Sequence, residues 1–246
     1  MNHFSDQGII LSARPHGEGG AVVHILSENH GKCSGYVNGA QSSSRLKSLL
    51  QKGNIVSFEW SSKAEGQLGR FDLEMEEGTA TSIMDTPKAI TAVQSACGLI
   101  DMFLPDRESH PALYNGTQAL LQAMKGDEWP AVYIVWEMAF LKELGYGIDL
   151  SKCAVTGATD NLTHVSPKTG RAVCSEEAAP YLPKLIEIPQ FLQGNDFADD
   201  DIEKGLKMTG YFLVHRLLQQ SSFTELPNGR VQMDENFSVE KAKKSL

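Results

Sequence analysis

The residues with the most recognisable chemistry are two cysteines in a turn-rich run near the middle of the chain. Cys153 and Cys174 each stand where a C-x-x-C pair would begin, and two such pairs make a structural zinc knuckle. The second positions hold Thr156 and Glu177, neither of which supplies a thiolate. His164 and Glu177 offer a nitrogen and an oxygen, but structural zinc sites are nearly always closed by four Cys or His ligands. We therefore expect a zinc-knuckle-like module that has lost its metal, and no cofactor.

The rest of the chain carries no arrangement typical of catalysis. The Gly-Glu-Gly-Gly run at residues 17–20 is not followed by G-K-[ST] and leads into a strand-like run, so a hairpin turn is favoured over a phosphate loop. Neither a G-x-S-x-G elbow nor an H-E-x-x-H motif is present. The seven histidines are scattered without an acid or a nucleophile at useful spacing. The sequence predicts that the protein is not an enzyme.

Length and composition place the chain among globular proteins. With 246 residues, 41% of them hydrophobic, it is long enough to bury a core in one or two domains. It has no run of eighteen apolar residues that would span a membrane. The first residues lack the basic and apolar regions of a secretory signal, and the four cysteines are irregularly spaced. We expect reduced thiols and a cytoplasmic location.

Charge is unevenly distributed along the chain. The formal net charge is −9, which by itself argues against a nucleic-acid partner, yet a local basic footprint can be hidden in such a total. Residues 29–58 contain no Asp or Glu but include Lys32, Arg45, Lys47 and Lys52. An ordinary solvated face would also explain four charges in thirty residues, so the position of this window in the fold matters.

The first eighty residues read as a small barrel. Five strand-like runs occur, with a short helical run between the third and the fourth; the strand-like runs cover residues 8–14, 21–27, 31–37, 54–60 and 68–75. This order is that of an OB-fold, a Greek-key barrel that commonly binds oligonucleotides. The candidate DNA-binding residues on it are Arg14, Lys32, Arg45, Lys47, Lys52 and Arg70. The aromatic side chains of the strands, Tyr36, Phe58, Trp60 and Phe71, are expected to serve the core rather than to stack on bases.

After the barrel the hydrophobic pattern changes to a helical period. Apolar residues three and four apart predict helices after Pro87, over residues 112–125 and 130–144, and over 201–220. The predicted class is α+β, with an OB-fold barrel followed by an all-α domain that contains the knuckle-like module. The predicted boundaries are 1–80 for the barrel, 81–226 for the helical domain with the module at about 150–178, and 227–246 for a flexible tail.

Several motifs resemble those of one family. The runs L-G-Y-G-I-D-L-S-K-C-A-V-T-G and V-S-P-K-T-G-R-A-V, and the later T-G-Y-F-L, are similar to the RecO family of bacterial recombination mediators, over roughly residues 6–226. The resemblance implies an OB-fold start and a knuckle that some members have lost. One departure is that Gly39 and Ala40 are followed by Gln and three serines, where members often carry more basic residues. We therefore expect weak, salt-sensitive DNA binding.

The resemblance also implies partners. Proteins of this family bind single-stranded DNA, anneal complementary strands and, with RecR, help to load RecA onto strands coated by the single-stranded DNA-binding protein, whose acidic tail they contact. Whether double-stranded DNA binds comparably is left open, and no membrane is involved. Candidate partner-binding residues are Lys152, Lys168, Arg171, Lys207 and Arg216. The alternative is a protein-binding adaptor whose OB-fold has little affinity for DNA.

Overall fold

The computed structural model describes residues 2–64, 67–195, 197–198 and 200–238. Contacts divide the chain into two compact units, Met1–Trp129 with Pro227–Arg230 and Pro130–Leu226 with Val231–Leu246. The division after Trp129 differs from the boundary predicted near residue 80. The reason is that the first helices after the barrel pack on it: the Cys97 thiol, for example, donates to the carbonyl of Ile10 (3.6 Å).

Five strands form the barrel of the first unit. They are β1 (Asn2–His16), β2 (Gly20–Ser27), β3 (Gly31–Val37), β4 (Ile55–Ser62) and β5 (Gly69–Glu77), hydrogen-bonded in the order β1-β2-β3-β5-β4 and closed by the pairing of β4 with β1. All pairs are antiparallel except β3 with β5, which share two register pairs, Gly35 with Gly69 and Tyr36 with Arg70. This arrangement confirms the predicted OB-fold.

Alternation along the strands explains how the barrel is filled. In β4, Val56, Phe58 and Trp60 are buried, while Glu59 between the last two is exposed. Successive side chains of a strand point to opposite faces of the sheet, so alternate residues enter the barrel and the others face solvent. Phe58 and Phe71 meet edge to face inside it, with ring centroids 5.3 Å apart. The expectation that Phe58, Trp60 and Phe71 belong to the core is confirmed.

A short helix, α1 (Ser44–Leu49), connects β3 to β4. It begins at Ser43, whose hydroxyl accepts a hydrogen bond from the backbone N–H of Leu46 (3.2 Å), the usual N-cap interaction. Leu49 is buried in the barrel core, whereas Arg45 and Lys47 are exposed. The helix is therefore fixed to the barrel by its cap and by Leu49, and its two cations are exposed to solvent.

Three helices complete the first unit: α2 (Thr79–Ser82), α3 (Pro87–Phe103) and α4 (Pro111–Ala123). Both longer helices have proline in the first turn, where the missing N–H costs nothing. The connection between α3 and α4 is anchored to β3, since the N–H of Arg107 donates to the carbonyl of Lys32 (2.9 Å).

The second unit contains α5 (Trp129–Glu143), whose first residue belongs to the first unit, a short α6 (Ser175–Ala178) and α7 (Asp201–Phe212). After α7 the chain continues as a π-helix, Leu213–Leu217, and a 3-10 turn, Leu218–Gln220. In its interior, the Tyr133 hydroxyl donates to the buried carboxylate of Glu137 (2.6 Å), as does the Thr209 hydroxyl. A buried polar group is tolerated when such hydrogen bonds satisfy it.

The second unit is not all-α as predicted. It also holds a three-stranded sheet in the order β7-β6-β8, built from β6 (Leu162–Val165), β7 (Ala172–Cys174) and β8 (Ile186–Glu187). Strands of two to four residues are too short to show an alternating pattern, so the sequence did not reveal them. The predicted α+β class itself is confirmed.

The predicted tail over 227–246 is corrected in part. Residues Asn228–Phe237 form helix α8, and its Arg230 and Met233 side chains are fully buried. The mixed polar composition of this helix hid these two anchoring residues from a sequence-based prediction. The rest of the predicted tail, from residue 239 onward, lies outside the described residues. None of the described helices is both long and apolar enough to cross a lipid bilayer.

Candidate nucleic-acid interface

The structure separates the six predicted DNA-binding cations into three groups. Arg45 and Arg70 line one cavity of about 540 Å³ on the barrel. Both side chains are exposed, and neither forms a salt bridge with another described residue. Their guanidinium groups are thus available to a ligand. Two carboxylates line the same cavity, Glu59, which faces His3 (3.5 Å), and Asp72, which accepts from the N–H of Leu73 (3.0 Å).

Lys47 and Lys52 lie at a different cavity. It measures about 750 Å³, lies in the first unit and is lined mainly by apolar side chains such as Leu50, Ile83 and the exposed Met84. Neither lysine forms a salt bridge within the described part of the chain. The two lysines therefore flank an apolar groove, in contrast to the more polar cavity of Arg45 and Arg70.

Lys32 and Arg14 are occupied by contacts within the first unit. Lys32 is buried, donates to the carbonyl of Asp101 (2.9 Å) and pairs with Asp106 (3.2 Å). Arg14 lies 3.4 Å from the Asp101 carboxylate, although most of its own side chain is exposed. Because the Lys32 ammonium is buried, Lys32 does not belong to the candidate interface. The acid-free window gave no sign of this, since Asp101 and Asp106, which contact Lys32, lie far along the chain.

Sequence reasoning missed other residues on the barrel. Phe4, His30 and Arg107 come together with Trp60 around a further cavity. Phe4 lies outside the predicted first strand, and Arg107 is an isolated cation in a loop, so no local pattern identified either of them. Tyr36, which was considered as a stacking residue, is half-buried and occupies the space beside Gly20, where an added Cβ would lie 2.0 Å from its hydroxyl oxygen.

The knuckle-like module of the second unit brings its two cysteines together. The backbone N–H of Cys174 donates to the sulfur of Cys153 (3.3 Å), and the Thr156 hydroxyl lies 3.8 Å from the Cys174 sulfur. Burial disfavours the Cys153 thiolate, yet hydrogen bonds from the Thr156 hydroxyl and from nearby backbone N–H groups lower the pKa of Cys153 to about 6. Thr156 thus occupies a ligand position as a hydrogen-bonding residue.

The donor set of this module does not fit structural zinc. Among the described residues, no group of three or more His, Cys, Asp or Glu side chains is placed to hold a metal ion. His164 is oriented toward Thr163, with Nδ1 2.9 Å from its hydroxyl oxygen. Two thiols without further ligands leave half of a tetrahedral site unfilled.

The five candidate partner-binding residues are also separated. Lys168 and Arg216 line a cavity of about 490 Å³ with Lys184 and Tyr181, and Arg216 donates to the carbonyls of Pro167 (3.1 Å) and of Lys168. Arg216 therefore fixes the turn, while Lys168 is left at the cavity.

The other three candidates lie elsewhere in the second unit. Lys207 pairs with Glu203 on α7 (2.9 Å), and Arg171 lies 3.9 Å from Asp149. Lys152 is exposed on the knuckle-like module. These three do not converge on a common cavity with Lys168.

Taken together, these elements define an OB-fold protein whose barrel is followed along the chain by helices and a knuckle-like module. The chain matches the family models described as Recombination protein O N terminal, over residues 1–76, and Recombination protein O C terminal, over residues 84–221. Residues 77–83 lie between the two matches.

Curated proteins give the same result. The chain is 40% identical to DNA repair protein RecO of Rhodospirillum centenum over 237 residues, covering 95% of this chain and 94% of the relative. It is 44% identical to DNA repair protein RecO of Caulobacter vibrioides (strain NA1000 / CB15N) over 214 residues, covering 85% and 87%. The DNA repair protein RecO of Ruegeria sp. (strain TM1040) is 37% identical over 92% of this chain and 95% of its own length. The chain belongs to the RecO family of DNA repair proteins, as its motifs indicated.

Proposed function

We propose that this protein is a recombination mediator that binds single-stranded DNA on its barrel and anneals complementary strands. With RecR, it would help to load RecA onto strands coated by the single-stranded DNA-binding protein. The observation that carries the DNA-binding part is the convergence of Arg45 and Arg70 on one cavity of an OB-fold, with both guanidinium groups free of salt bridges to described residues. A guanidinium binds phosphate oxygens in a bidentate manner.

The role needs no catalytic residue. Displacing a coat protein requires only that contacts with DNA and with partner proteins together outweigh the contacts that are lost. The protein would act among nucleoid DNA in the cytoplasm. We therefore propose binding and annealing without an enzymatic step and without a metal cofactor.

Salt dependence tests the DNA-binding surface directly. Fluorescence anisotropy of a labelled single strand is measured over a salt series for the wild type and for the variant Arg45→Ala/Arg70→Ala. Each phosphate contact to a single strand contributes about 0.7 to the slope of log K against log salt, so the loss of two contacts should flatten the slope by about 1.4. A matched variant, Lys88→Ala/Lys125→Ala, removes the same charge from α3 and beyond α4 and should retain the wild-type slope.

Two further variants and partners define the extent of the interface. If Lys47→Ala/Lys52→Ala flattens the slope as well, the DNA path extends across α1. If the slope is unchanged, the two lysines do not contact DNA and only flank the apolar groove. Repeating the series with duplex DNA settles the preference between single and double strands. Separate elution of this protein and RecR from a size-exclusion column at micromolar concentration would remove RecR from the proposal.

The alternative function is a protein-binding adaptor. The observation that favours it is the apolar groove of about 750 Å³ flanked by Lys47 and Lys52, since exposed apolar surface with a charged rim is typical of protein-binding sites. Wild-type protein that fails to bind a single strand even at low salt would establish the adaptor in place of the mediator.

In the second unit, we place the acidic tail of the single-stranded DNA-binding protein at the cavity lined by Lys168 and Lys184. Tyr181 supplies an exposed aromatic surface there, 57% accessible, next to the two ammonium groups. An acidic peptide with apolar side chains would find both kinds of contact at this cavity.

A further inference from the structure

Arg107 has an unusual backbone conformation. Within the described part of the chain, it and Asn161 are the non-glycine residues with positive φ, at 65° and 51°. Asparagine tolerates the left-handed region comparatively well, but arginine gains nothing there from its own side chain. Such strain persists where the surroundings impose it, and it occurs often at functional sites.

The surroundings of Arg107 do impose this conformation. Its N–H donates to the carbonyl of Lys32 on β3 (2.9 Å), and the neighbouring Asp106 pairs with the Lys32 ammonium (3.2 Å). The adjoining Glu108 lies so close to Gly31 that a Cβ on that glycine would be 1.9 Å from the Glu108 carbonyl oxygen. The loop is therefore held against the barrel at a defined position.

The conformation places the guanidinium of Arg107 over an aromatic stack. Its Cζ lies 4.0 Å from the ring centroid of Trp60 and 5.3 Å from that of Phe4. Phe4 stacks on Trp60 (5.2 Å between centroids, 29° between planes) and on His30 (3.9 Å, 23°). Trp60 is buried while Arg107 is exposed, so the guanidinium is the outer layer of the stack.

The stack forms one wall of a cavity of about 610 Å³, which we call the Arg107 pocket. Its other lining includes the side chains of Asn2 and Gln67 and the exposed Leu68. The indole is held in place because its N–H donates to the carbonyl of Ser34 (3.0 Å). The volume lies within the range of small-molecule sites, and amide side chains can both donate to and accept from a polar ring edge.

The chemistry of this pocket fits a nucleobase. The guanidinium lies over the indole at the exposed end of the stack, and arginine planes are among the surfaces on which unstacked bases lie. Arg107 forms no salt bridge with another described residue, so its charge is available to the phosphate of the same nucleotide. Asp106 also lines the pocket, but it is paired with Lys32.

The register of the barrel connects this pocket to the cations described above. Trp60 pairs with Phe71 across β4 and β5, and the next pair is Ser61 with Arg70. Arg70 and Trp60 thus stand at the same end of one hairpin. Because successive residues of a strand face opposite sides of a sheet, the two side chains lie on opposite faces, and a single strand that contacts Arg70 would reach the Arg107 pocket by passing over the end of this hairpin.

We propose that the Arg107 pocket receives one unstacked nucleobase of a single-stranded nucleic acid, with the base lying on the guanidinium layer above Trp60. This proposal rests on the proposed function and adds a base contact to the backbone contacts of Arg45 and Arg70. Amide groups of Asn2 and Gln67 would face the edge of the base.

The test separates base contacts from phosphate contacts. Anisotropy is measured with a labelled single strand and with a strand of the same length whose residues are abasic, for the wild type, Arg107→Gly and Arg107→Lys. The wild type should prefer the base-containing strand, and Arg107→Gly should reduce that preference about tenfold, in line with the strength of a stacked base. Arg107→Lys keeps the charge but lacks the plane, so it should lose the preference and retain the salt slope.

Folding is controlled by the choice of glycine. Glycine adopts positive φ without strain, and this gain offsets the lost cation–π contact and the larger unfolded-state entropy of glycine, so Arg107→Gly should melt within a few degrees of the wild type in a thermal denaturation scan. An Arg107→Gly protein that melts several degrees lower shows a structural role, and the Arg107→Lys result then decides on the base contact.

The remaining outcomes distinguish the two proposals. A base preference that is equal in the wild type and in both variants overturns the nucleobase site but leaves DNA binding through Arg45 and Arg70 intact. Equal weakening of both strands by Arg107→Gly, with Arg107→Lys behaving as wild type, makes Arg107 a phosphate contact only. Absence of binding to either strand by the wild type overturns the proposed function and the nucleobase site together.

Discussion

The carboxylate of Asp101 is the centre of a polar network in the first unit, and its removal gives the most quantitative prediction. Asp101 lies on α3, and its side chain is 9% exposed. It accepts a hydrogen bond from His24 Nδ1 on β2 (2.5 Å) and lies 3.4 Å from the guanidinium of Arg14 on β1. The substitution Asp101→Asn keeps the shape of the side chain and removes the charge.

The expected loss follows from these two contacts. A hydrogen bond that involves a charged group contributes about 1.5–3 kcal/mol, whereas the pair with Arg14, whose side chain is 73% exposed, contributes at most about 1 kcal/mol because solvent screens it. The asparagine carbonyl can still accept from His24. We expect Asp101→Asn to lower the free energy of unfolding by about 2 kcal/mol.

The effect should depend on pH in a defined direction. Burial by itself raises the pKa of Asp101, but the hydrogen bond and charge of His24 outweigh it and hold the pKa below its ordinary value. A depressed carboxyl pKa stabilises the folded state above the unfolded-state pKa, which is about 3.9. The difference between wild type and Asp101→Asn should therefore be complete at pH 7 and should shrink as the pH falls below about 4.

Urea unfolding followed by circular dichroism measures this difference. With a slope of about 1–3 kcal/mol per molar urea, a loss of 2 kcal/mol moves the midpoint by about 1 M. Asp85→Asn is the control, since Asp85 is exposed in the same unit and makes no hydrogen bond or salt bridge with another described residue. A loss under about 0.5 kcal/mol at pH 7, or a loss that persists unchanged at pH 3, would refute the account of Asp101.

Two remaining predictions concern Gly31 and the cavity lined by Lys168 and Lys184. Gly31→Ala should destabilise the first unit by at least about 2 kcal/mol, because Gly31 has φ +69° and an added Cβ would collide with the Glu108 backbone; the urea midpoint measures this loss. Gly17→Ala is the control: Gly17 has φ +65° but open space around it, so this substitution gives the cost of the backbone strain alone. Lys168→Ala/Lys184→Ala should weaken the binding of a peptide from the acidic tail about tenfold, measured by anisotropy. Lys207→Ala is the control and should have little effect, because the Lys207 ammonium is paired with Glu203. Equal affinities for the wild type and both variants would remove this cavity as the tail site.

Much of the barrel is readable from the sequence because strand alternation is a local property. The predicted third strand coincides with β3 (Gly31–Val37), and the helix between β3 and β4 was expected from its leucines. The sheet of the second unit was not predictable in this way, since strands as short as Ile186–Glu187 are formed by pairing with distant residues and not by their own pattern.

The candidate site shows the same division between local and distant information. The acid-free window of residues 29–58 treated Lys32 and Arg45 alike. Lys32 is occupied by Asp101, 69 positions further along the chain, whereas Arg45 remains exposed beside Arg70. No count of charges within a window contains that distinction.

What the sequence by itself determined about this protein is its OB-fold, its family and the incomplete ligand set of its knuckle-like module, because strand alternation and motif spacing are written in residues close together along the chain. The tertiary structure alone decided which of the predicted cations are exposed and free of salt bridges to described residues, and that Arg107 covers Trp60. Burial and charge pairing depend on distances in space, and the folded barrel brings together residues from β1, β4 and the loop after α3 that are far apart in the chain.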